Sequence, residues 1–195
     1  MAPMSSTEYD THEREQMLEV ARRSITHGLE KGAPLRVDPR RFPEKLQARR
    51  ACFVTLNRES QLRGCIGHLE PVQTLIEDVA ENAFAAAFRD PRFPPLQANE
   101  TADLEIHISV LSEPEPLPFE DEQDLLAKLR PGVDGLILEA PLGHRGTFLP
   151  SVWEQLPHPR DFLAHLRLKA GLPADFPLQQ VRLWRYTTES FEGHY

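Results

Sequence analysis

The spacing of apolar and polar residues predicts the secondary structure of the first half of the chain. Residues 104–111 alternate between apolar and polar side chains, which predicts a half-buried strand. Residues 10–30 repeat apolar side chains at steps of three and four, which predicts an amphipathic helix, and residues 72–88 predict a second, alanine-rich helix with a broad apolar face. The apolar runs at 51–56 and 61–66 flank a short polar loop, so they predict an antiparallel hairpin.

The second half of the chain repeats this mixture of short strands and helices. The pattern predicts helices at residues 121–129, 150–155 and 158–170, and strands at 133–140, 147–149 and 181–187. Hairpins that are separated by helices are typical of an α+β fold, in which helices flank a mainly antiparallel sheet. We expect residues 1–9 to form a flexible N-terminal tail and residues 10–195 to form a single domain.

Composition and charge narrow the function classes. The 195 residues are 40% hydrophobic and carry a net charge of −8, which argues against general binding of nucleic acids or of anionic membranes. The one basic cluster, residues 34–50, lacks interleaved aromatic side chains beyond Phe42, so we interpret it as a solvated face. Two cysteines indicate neither a disulfide framework nor a zinc site, and we predict no metal and no cofactor. The chain has no long apolar run and no secretory signal, so the expected location is the cytoplasm.

Candidate chemistry centres on the hexapeptide LRGCIG at residues 62–67. On a straight strand Arg63 and Cys65 would face the same side, so the guanidinium could favour a thiolate and bind an anion. Gly64 and Gly67 would let a ligand approach closely, and Arg92, in a proline-rich loop, could reach the same site. We therefore take Cys65 as the candidate catalytic residue and the other four residues as candidates for binding a substrate or anion. The alternative is structural: a small buried cysteine, with glycines that mark a bulge or tight packing.

The predicted helix that begins after Pro71 adds a second anion-binding element. Its free N–H groups would lie near the hexapeptide, where they could hold a negative charge.

The hexapeptide resembles the hallmark motif of the AMMECR1 domain family, also called the A component of the AmmeMemoRadiSam system. Further segments resemble family signatures in the family's order, and the resemblance covers about residues 10 to 190. These segments are ACFVTL at 51–56, AAFRDPRF at 86–93, ISVLS at 108–112, GVDGL at 132–136 and TFLPSVW at 147–153.

The resemblance implies an α+β fold with a larger lobe, a smaller lobe and a cleft between them at the hexapeptide. It also implies a pathway shared with Memo-like and radical SAM proteins. Two functions stay open: an enzyme that uses Cys65, with His68 or His144 as base if either lies within reach, and a non-catalytic module that binds a small anion or a protein partner.

Overall fold

A computed structural model describes residues 8–195 of the chain. It divides them into two compact units, each described separately here: the first comprises the described residues up to Leu111 together with Glu189–Tyr195, and the second is Ser112–Thr188. Both units combine helices with a four-stranded sheet, and all strand pairs with an assigned register are antiparallel. The predicted α+β class is therefore confirmed.

The first unit is built on a sheet with the strand order β2-β1-β3-β8. Its strands are β1 (Cys52–Arg58), β2 (Gln61–Gly67), β3 (Leu104–Leu111) and β8 (Thr188–His194, from Glu189 onward in this unit), and its α-helices are α1 (Thr11–Lys31), α2 (Glu44–Gln47) and α3 (Leu75–Phe88). Short 3-10 helices occupy Pro39–Arg41 and Ala98–Asp103.

One face of this sheet packs against α1 and α3, and this contact forms the core of the first unit. Val54 and Leu56 of β1 and Ile106 and Ile108 of β3 are fully buried in it, because alternate residues of a strand point to the same face. The intervening residues of the same strands face the opposite side and are half-buried. We call this opposite side the polar sheet face; it carries Phe53, Thr55, Asn57, Cys65, Glu105, His107, Ser109 and Glu192.

The second unit has its own sheet, in the order β4-β7-β5-β6, and its own core. Its strands are β4 (Glu115–Pro116), β5 (Gly135–Glu139), β6 (Arg145–Phe148) and β7 (Arg182–Tyr186), and its α-helices are α4 (Glu122–Lys128) and α5 (Pro159–Lys169). The core centres on Trp153, whose ring stacks on that of Phe162 with centroids 3.8 Å apart. Stacked rings of this kind add specific geometry to the apolar burial that stabilises the unit.

Several boundaries differ from those that the sequence predicts. Helix α3 begins at Leu75 rather than at residue 72, because Thr74 and Glu77 form a capping box there. The helix predicted at residues 150–155 is a 3-10 helix, Pro150–Glu154. Strands β4 and β8 have no counterpart among the predicted elements.

Most of the predicted tail lies outside the described residues. Of its two described residues, Tyr9 is 1% exposed and packs in the core of the first unit. The amides of Glu8 and Tyr9 donate to the carboxylate of Glu189 at 2.7 and 3.2 Å. Both described residues of the predicted tail therefore contact the first unit.

Basic side chains of the cluster at residues 34–50 form ion pairs with acidic side chains. Arg40 pairs with Asp38, Lys45 with Glu13 and Arg50 with Glu8. These contacts agree with a solvated, charge-balanced surface. Within residues 8–195 no helix has the length and apolar character needed to cross a membrane.

Candidate functional site

The hexapeptide lies on β2, which is an edge strand of the first sheet. A tight turn joins β1 to β2, with Glu59 and Ser60 both at positive φ (51° and 62°). Leu56 pairs with Gly64, whereas Asn57 pairs with Leu62, so one extra residue of β2 opposes β1. This β-bulge leaves Arg63 unpaired on the strand, and the straight-strand geometry assumed from the sequence does not apply here.

Gly64 and Gly67 make room for packing inside the protein. A Cβ on Gly64 would lie 2.1 Å from the carbonyl oxygen of Ala86, so β2 approaches the backbone of α3 more closely than any other residue would allow. A Cβ on Gly67 would lie 2.4 Å from the ring of Phe53. These close approaches explain why both positions require glycine. Contact of Gly64 and Gly67 with a ligand stays a prediction.

The outer edge of β2 is closed by the loop that follows α3. The backbone N–H of Cys65 donates to Asp90 Oδ2 at 2.9 Å, and Arg92 Nη2 donates to the Cys65 carbonyl at 3.4 Å. Arg92 also binds Asp90 through two nitrogens, at 3.0 and 2.7 Å. These bonds from Arg92 hold the pKa of the buried Asp90 well below its usual range. Side chains thus satisfy backbone groups that an edge strand would leave unpaired.

Arg63 binds a carboxylate in the same way. Its Nε and Nη2 donate to the two oxygens of Glu100 at 2.8 and 3.0 Å, and Nη2 also donates to the carbonyl of Pro94. Hydrogen bonds from Arg63 are the largest cause that lowers the pKa of Glu100 from 4.5 to about 2. Arg63 and Arg92 therefore both neutralise carboxylates of the first unit, and their binding of an external anion stays a prediction.

The sulfur of Cys65 lies on the polar sheet face. The thiol is half-buried, and the hydroxyl of Thr55 donates to Sγ at 3.1 Å. Thr55 is the direct partner of Cys65 on one side and of His107 on the other, so these three residues form one row across β2, β1 and β3. Side chains in such a row stand about 5 Å apart and point to the same face.

The row continues from His107 to a carboxylate. His107 Nδ1 lies 3.0 Å from Glu192 Oε2, and Nε2 lies 3.8 Å from Glu105 Oε2. Among residues 8–195, this buried Nε2 has no hydrogen-bond partner. If Nδ1–H donates to Glu192, a neutral imidazole carries its lone pair on Nε2 and can accept a proton there. We call Cys65, Thr55, His107 and Glu192 the thiol row.

The two histidines singled out from the sequence lie elsewhere. His68 follows β2 but turns toward α3, where its Nδ1 lies 2.5 Å from Asp78 Oδ1. In the second unit, His144 Nδ1 lies 3.0 Å from the carbonyl oxygen of Ala170. Within the described part of the chain, the side-chain hydrogen bond to the Cys65 sulfur comes from Thr55 and from neither histidine.

Asp78 is the centre of a buried polar network. It is fully buried, and its carboxylate accepts from the backbone and thiol of Cys52 (3.0 and 3.3 Å), Asn82 (2.9 Å), Gln73 (3.2 Å) and His68. Asp78 lies in the first turn of α3, and its bonds to Cys52 fix the start of β1. Burial, with Asp78 adding to it, raises the pKa of the Cys52 thiol well above its usual range. Cys52 is therefore a structural thiol.

The start of α3 already holds a carboxylate. Glu77 Oε2 accepts from the Thr74 hydroxyl at 2.6 Å and from its backbone N–H at 3.3 Å, and Leu75 N–H donates to the carbonyl of Ala48. These contacts occupy the position where the sequence suggested an external anion. No cluster of three or more His, Cys, Asp or Glu side chains suited to a metal ion occurs within residues 8–195.

Sequence reasoning missed Thr55, Glu192 and the role of His107. The alternation of β3 put His107 on a polar face, but only the register of three strands brings it into line with Cys65. Glu192 lies on a strand that was not predicted, so no signal pointed to it.

Known proteins resemble this chain over most of its length. A protein of Methanothermobacter thermautotrophicus is 39% identical over 97% of this chain and 96% of its own length. Protein MJ0810 of Methanocaldococcus jannaschii is 40% identical over 77% of both chains. The crystal structure of uncharacterized protein PH0010 from Pyrococcus horikoshii superimposes with a TM-score of 0.81, at 34% identity, over 95% of this chain and 94% of that one. The model of the AMMECR1 family matches residues 18–191. The chain belongs to the AMMECR1 family.

Proposed function

We propose that this AMMECR1-domain protein is an enzyme that uses Cys65 as a nucleophile on the polar sheet face. The observation that carries the proposal is the hydrogen bond from Thr55 to Cys65 Sγ, which lies in one row with the imidazole–carboxylate pair of His107 and Glu192. A hydroxyl that donates to sulfur favours the thiolate, and the thiolate is the reactive form of cysteine.

The proposed step is attack of the Cys65 sulfur on an electrophilic carbon of a small substrate. In the reactive state the Thr55 hydroxyl donates to the Cys65 thiolate, and the proton that the thiol has lost resides on His107 Nε2, whose residue lies in the same row. The sulfur electron pair forms the S–C bond, and the leaving group departs with the electrons of the bond that breaks. The Glu192 carboxylate stabilises the imidazolium that results, as a carboxylate does in other nucleophile–base arrangements.

In this proposal the two arginines of the sequence-predicted site chiefly hold β2 in place. Arg63 and Arg92 hold the outer edge of β2 and so fix the direction of the Cys65 side chain. The side chain of Arg92 is 53% exposed, against 12% for Arg63, so we expect a direct contact with an anionic substrate from Arg92 alone.

A chromogenic ester tests the proposed chemistry without knowledge of the natural substrate. With p-nitrophenyl acetate, we expect a burst of p-nitrophenolate and a single acetyl adduct on Cys65, located by peptide mass spectrometry. Cys65→Ser should abolish the adduct, and His107→Gln should slow its formation. Cys52→Ser is the matched control, because that thiol is buried and should not react. Absence of the adduct, or an adduct that survives in Cys65→Ser, would contradict the proposal.

A non-catalytic binding module is the second candidate. The observation in its favour is that the described residues place no histidine within hydrogen-bonding distance of the Cys65 sulfur. A ligand whose affinity survives Cys65→Ser but falls in Arg92→Ala would favour binding over covalent catalysis.

The place of this activity among Memo-like and radical SAM proteins rests on the family resemblance alone. Co-purification of the tagged full chain with such proteins would support a direct contact. If the chain elutes separately from both purified proteins at micromolar concentration, a stable complex is excluded and a shared pathway would have to operate through a diffusing product.

A further inference from the structure

The second unit contains two neighbouring cavities on β7 that no activity of Cys65 explains. The first has a volume of about 580 Å³ and lies between residues 139–145 and 179–182. The second, of about 450 Å³, is lined by residues 116–121, 178–179 and 181–184. Both are lined by Gln179, Val181 and Arg182, so they adjoin at the start of β7. Each volume lies within the range of about 300–1,000 Å³ that is typical of small-molecule sites.

The first cavity is lined by the acid Glu139 and by the two arginines Arg145 and Arg182. Glu139 on β5 is the register partner of Arg145 on β6 and of Arg182 on β7, so one carboxylate lies between two guanidinium groups. The Arg–Glu139 distances are 3.4 and 3.6 Å, longer than the roughly 2.7–2.9 Å of a strong charged hydrogen bond. The imidazole of His144 lines the same cavity. The side chain of Arg182 is 78% exposed and only 3.6 Å from Glu139, so it could donate to an anionic group of a ligand in this cavity.

The second cavity is lined by apolar side chains and by two acids, Glu120 and Asp121. Its lining includes the aromatic rings of Phe119 and Trp184 together with Leu117 and Leu183. The guanidinium of Arg182 stands 5.5 Å from the centre of the Trp184 ring, so this one side chain borders the charged cavity and the aromatic one. Such a combination suits a ligand that is charged at one end and flat and apolar at the other.

We propose that these cavities form a binding site for an organic anion with an aromatic body. The anionic group, such as a phosphate or sulfonate, lies against Arg182, and the aromatic body lies against Trp184 and Phe119. The site is independent of the thiol row, since all of its residues belong to Ser112–Thr188.

The fluorescent probe 8-anilinonaphthalene-1-sulfonate has both of these features and can be titrated into the full chain. We expect saturable 1:1 binding to the folded protein, with Arg182→Gln weakening the affinity by about tenfold or more, as loss of a charged hydrogen bond would. Glu139→Gln should tighten binding several-fold because it removes the competing carboxylate; loss of folding would not produce that result. Arg160→Gln, an exposed change of equal charge on α5 outside both cavities, should leave the affinity unchanged.

Competition identifies the chemistry that is recognised. Phenyl phosphate should displace the probe at a lower concentration than inorganic phosphate, because only phenyl phosphate fills the aromatic cavity. Equal competition by the two compounds would remove the aromatic body from the proposal. Affinity that is unchanged in Arg182→Gln, that is weakened in Glu139→Gln, or that falls equally in Arg160→Gln would overturn the site itself.

Discussion

Replacing Thr55 with valine tests the hydrogen bond on which the thiol row depends. Valine keeps the β-branched shape that suits β1 but has no hydroxyl to donate to Cys65 Sγ, which now lies 3.1 Å from Thr55 Oγ1. The change leaves the strand pairing, the glycine contacts and the arginine–carboxylate pairs in place. The reactivity of the sulfur should therefore change without a change of fold.

The size of the effect follows from the kind of bond that is lost. A hydrogen bond to a charged group contributes about 1.5–3 kcal/mol, and sulfur, as a weak acceptor, puts this bond at the lower end. A difference of about 1.4 kcal/mol corresponds to about tenfold in an equilibrium constant. Because the thiolate is the form that reacts, Thr55→Val should slow alkylation of Cys65 by about tenfold at neutral pH.

The assay is the rate of alkylation by iodoacetamide under native conditions, followed by intact mass. Ser109→Ala is the matched control, since the Ser109 hydroxyl lies on the same sheet face and contacts Ser190 at 2.8 Å rather than the thiol. The control should react at the rate of the unmodified chain. A Thr55→Val rate within twofold of that of the unmodified chain, or an equal loss in Ser109→Ala, would refute the argument.

Three further predictions concern the contacts that hold β1 and β2. Gly64→Ala should lower the free energy of unfolding by about 1–3 kcal/mol or more, measured by urea denaturation, because its Cβ would clash with the Ala86 carbonyl oxygen; an unchanged midpoint would contradict the close packing. Asp78→Ala should lower the free energy of unfolding by about 3–5 kcal/mol in the same assay, because several buried donors would lose their acceptor. A decrease below about 1 kcal/mol would argue against the network. Folding lowers the pKa of Glu100 from 4.5 to about 2, so the stability it contributes is complete above about pH 4.5 and disappears as the pH falls to about 2. Glu100→Gln should reduce the pH dependence of the melting temperature in that window, and an unaltered slope would show that the pair with Arg63 contributes little.

The elements that the sequence predicts well are those whose signal is local. The alternation of residues 104–111 gives the bounds of β3, and the helical repeat gives α1 to within one residue at each end. Strand β8 was missed because its described residues are mostly polar or charged, so no apolar alternation distinguishes it from a loop. Its place in the sheet comes from pairing beside β3 rather than from its own sequence.

The candidate site was predictable only in part, because it depends on register and on burial. The sequence pointed to Cys65 and to the arginines near it, but the β-bulge at Arg63 and the close approach of Gly64 to α3 arise from tertiary packing. The role of Asp78 was also not predictable from the sequence. An acid near a helix start is usually solvated, whereas Asp78 is fully buried next to β1 and accepts hydrogen bonds from buried donors. The family resemblance predicted the fold, but it did not identify the side chain that hydrogen-bonds to the Cys65 sulfur.

The measurement that tests the central claim most directly compares the alkylation rate of the native chain with that of free cysteine at pH 7. The account predicts that a single thiol, Cys65, reacts, and that it reacts faster than free cysteine, while Cys52 reacts only after unfolding. Alkylation of Cys65 at or below the rate of free cysteine would contradict the claim that the thiol row activates this sulfur.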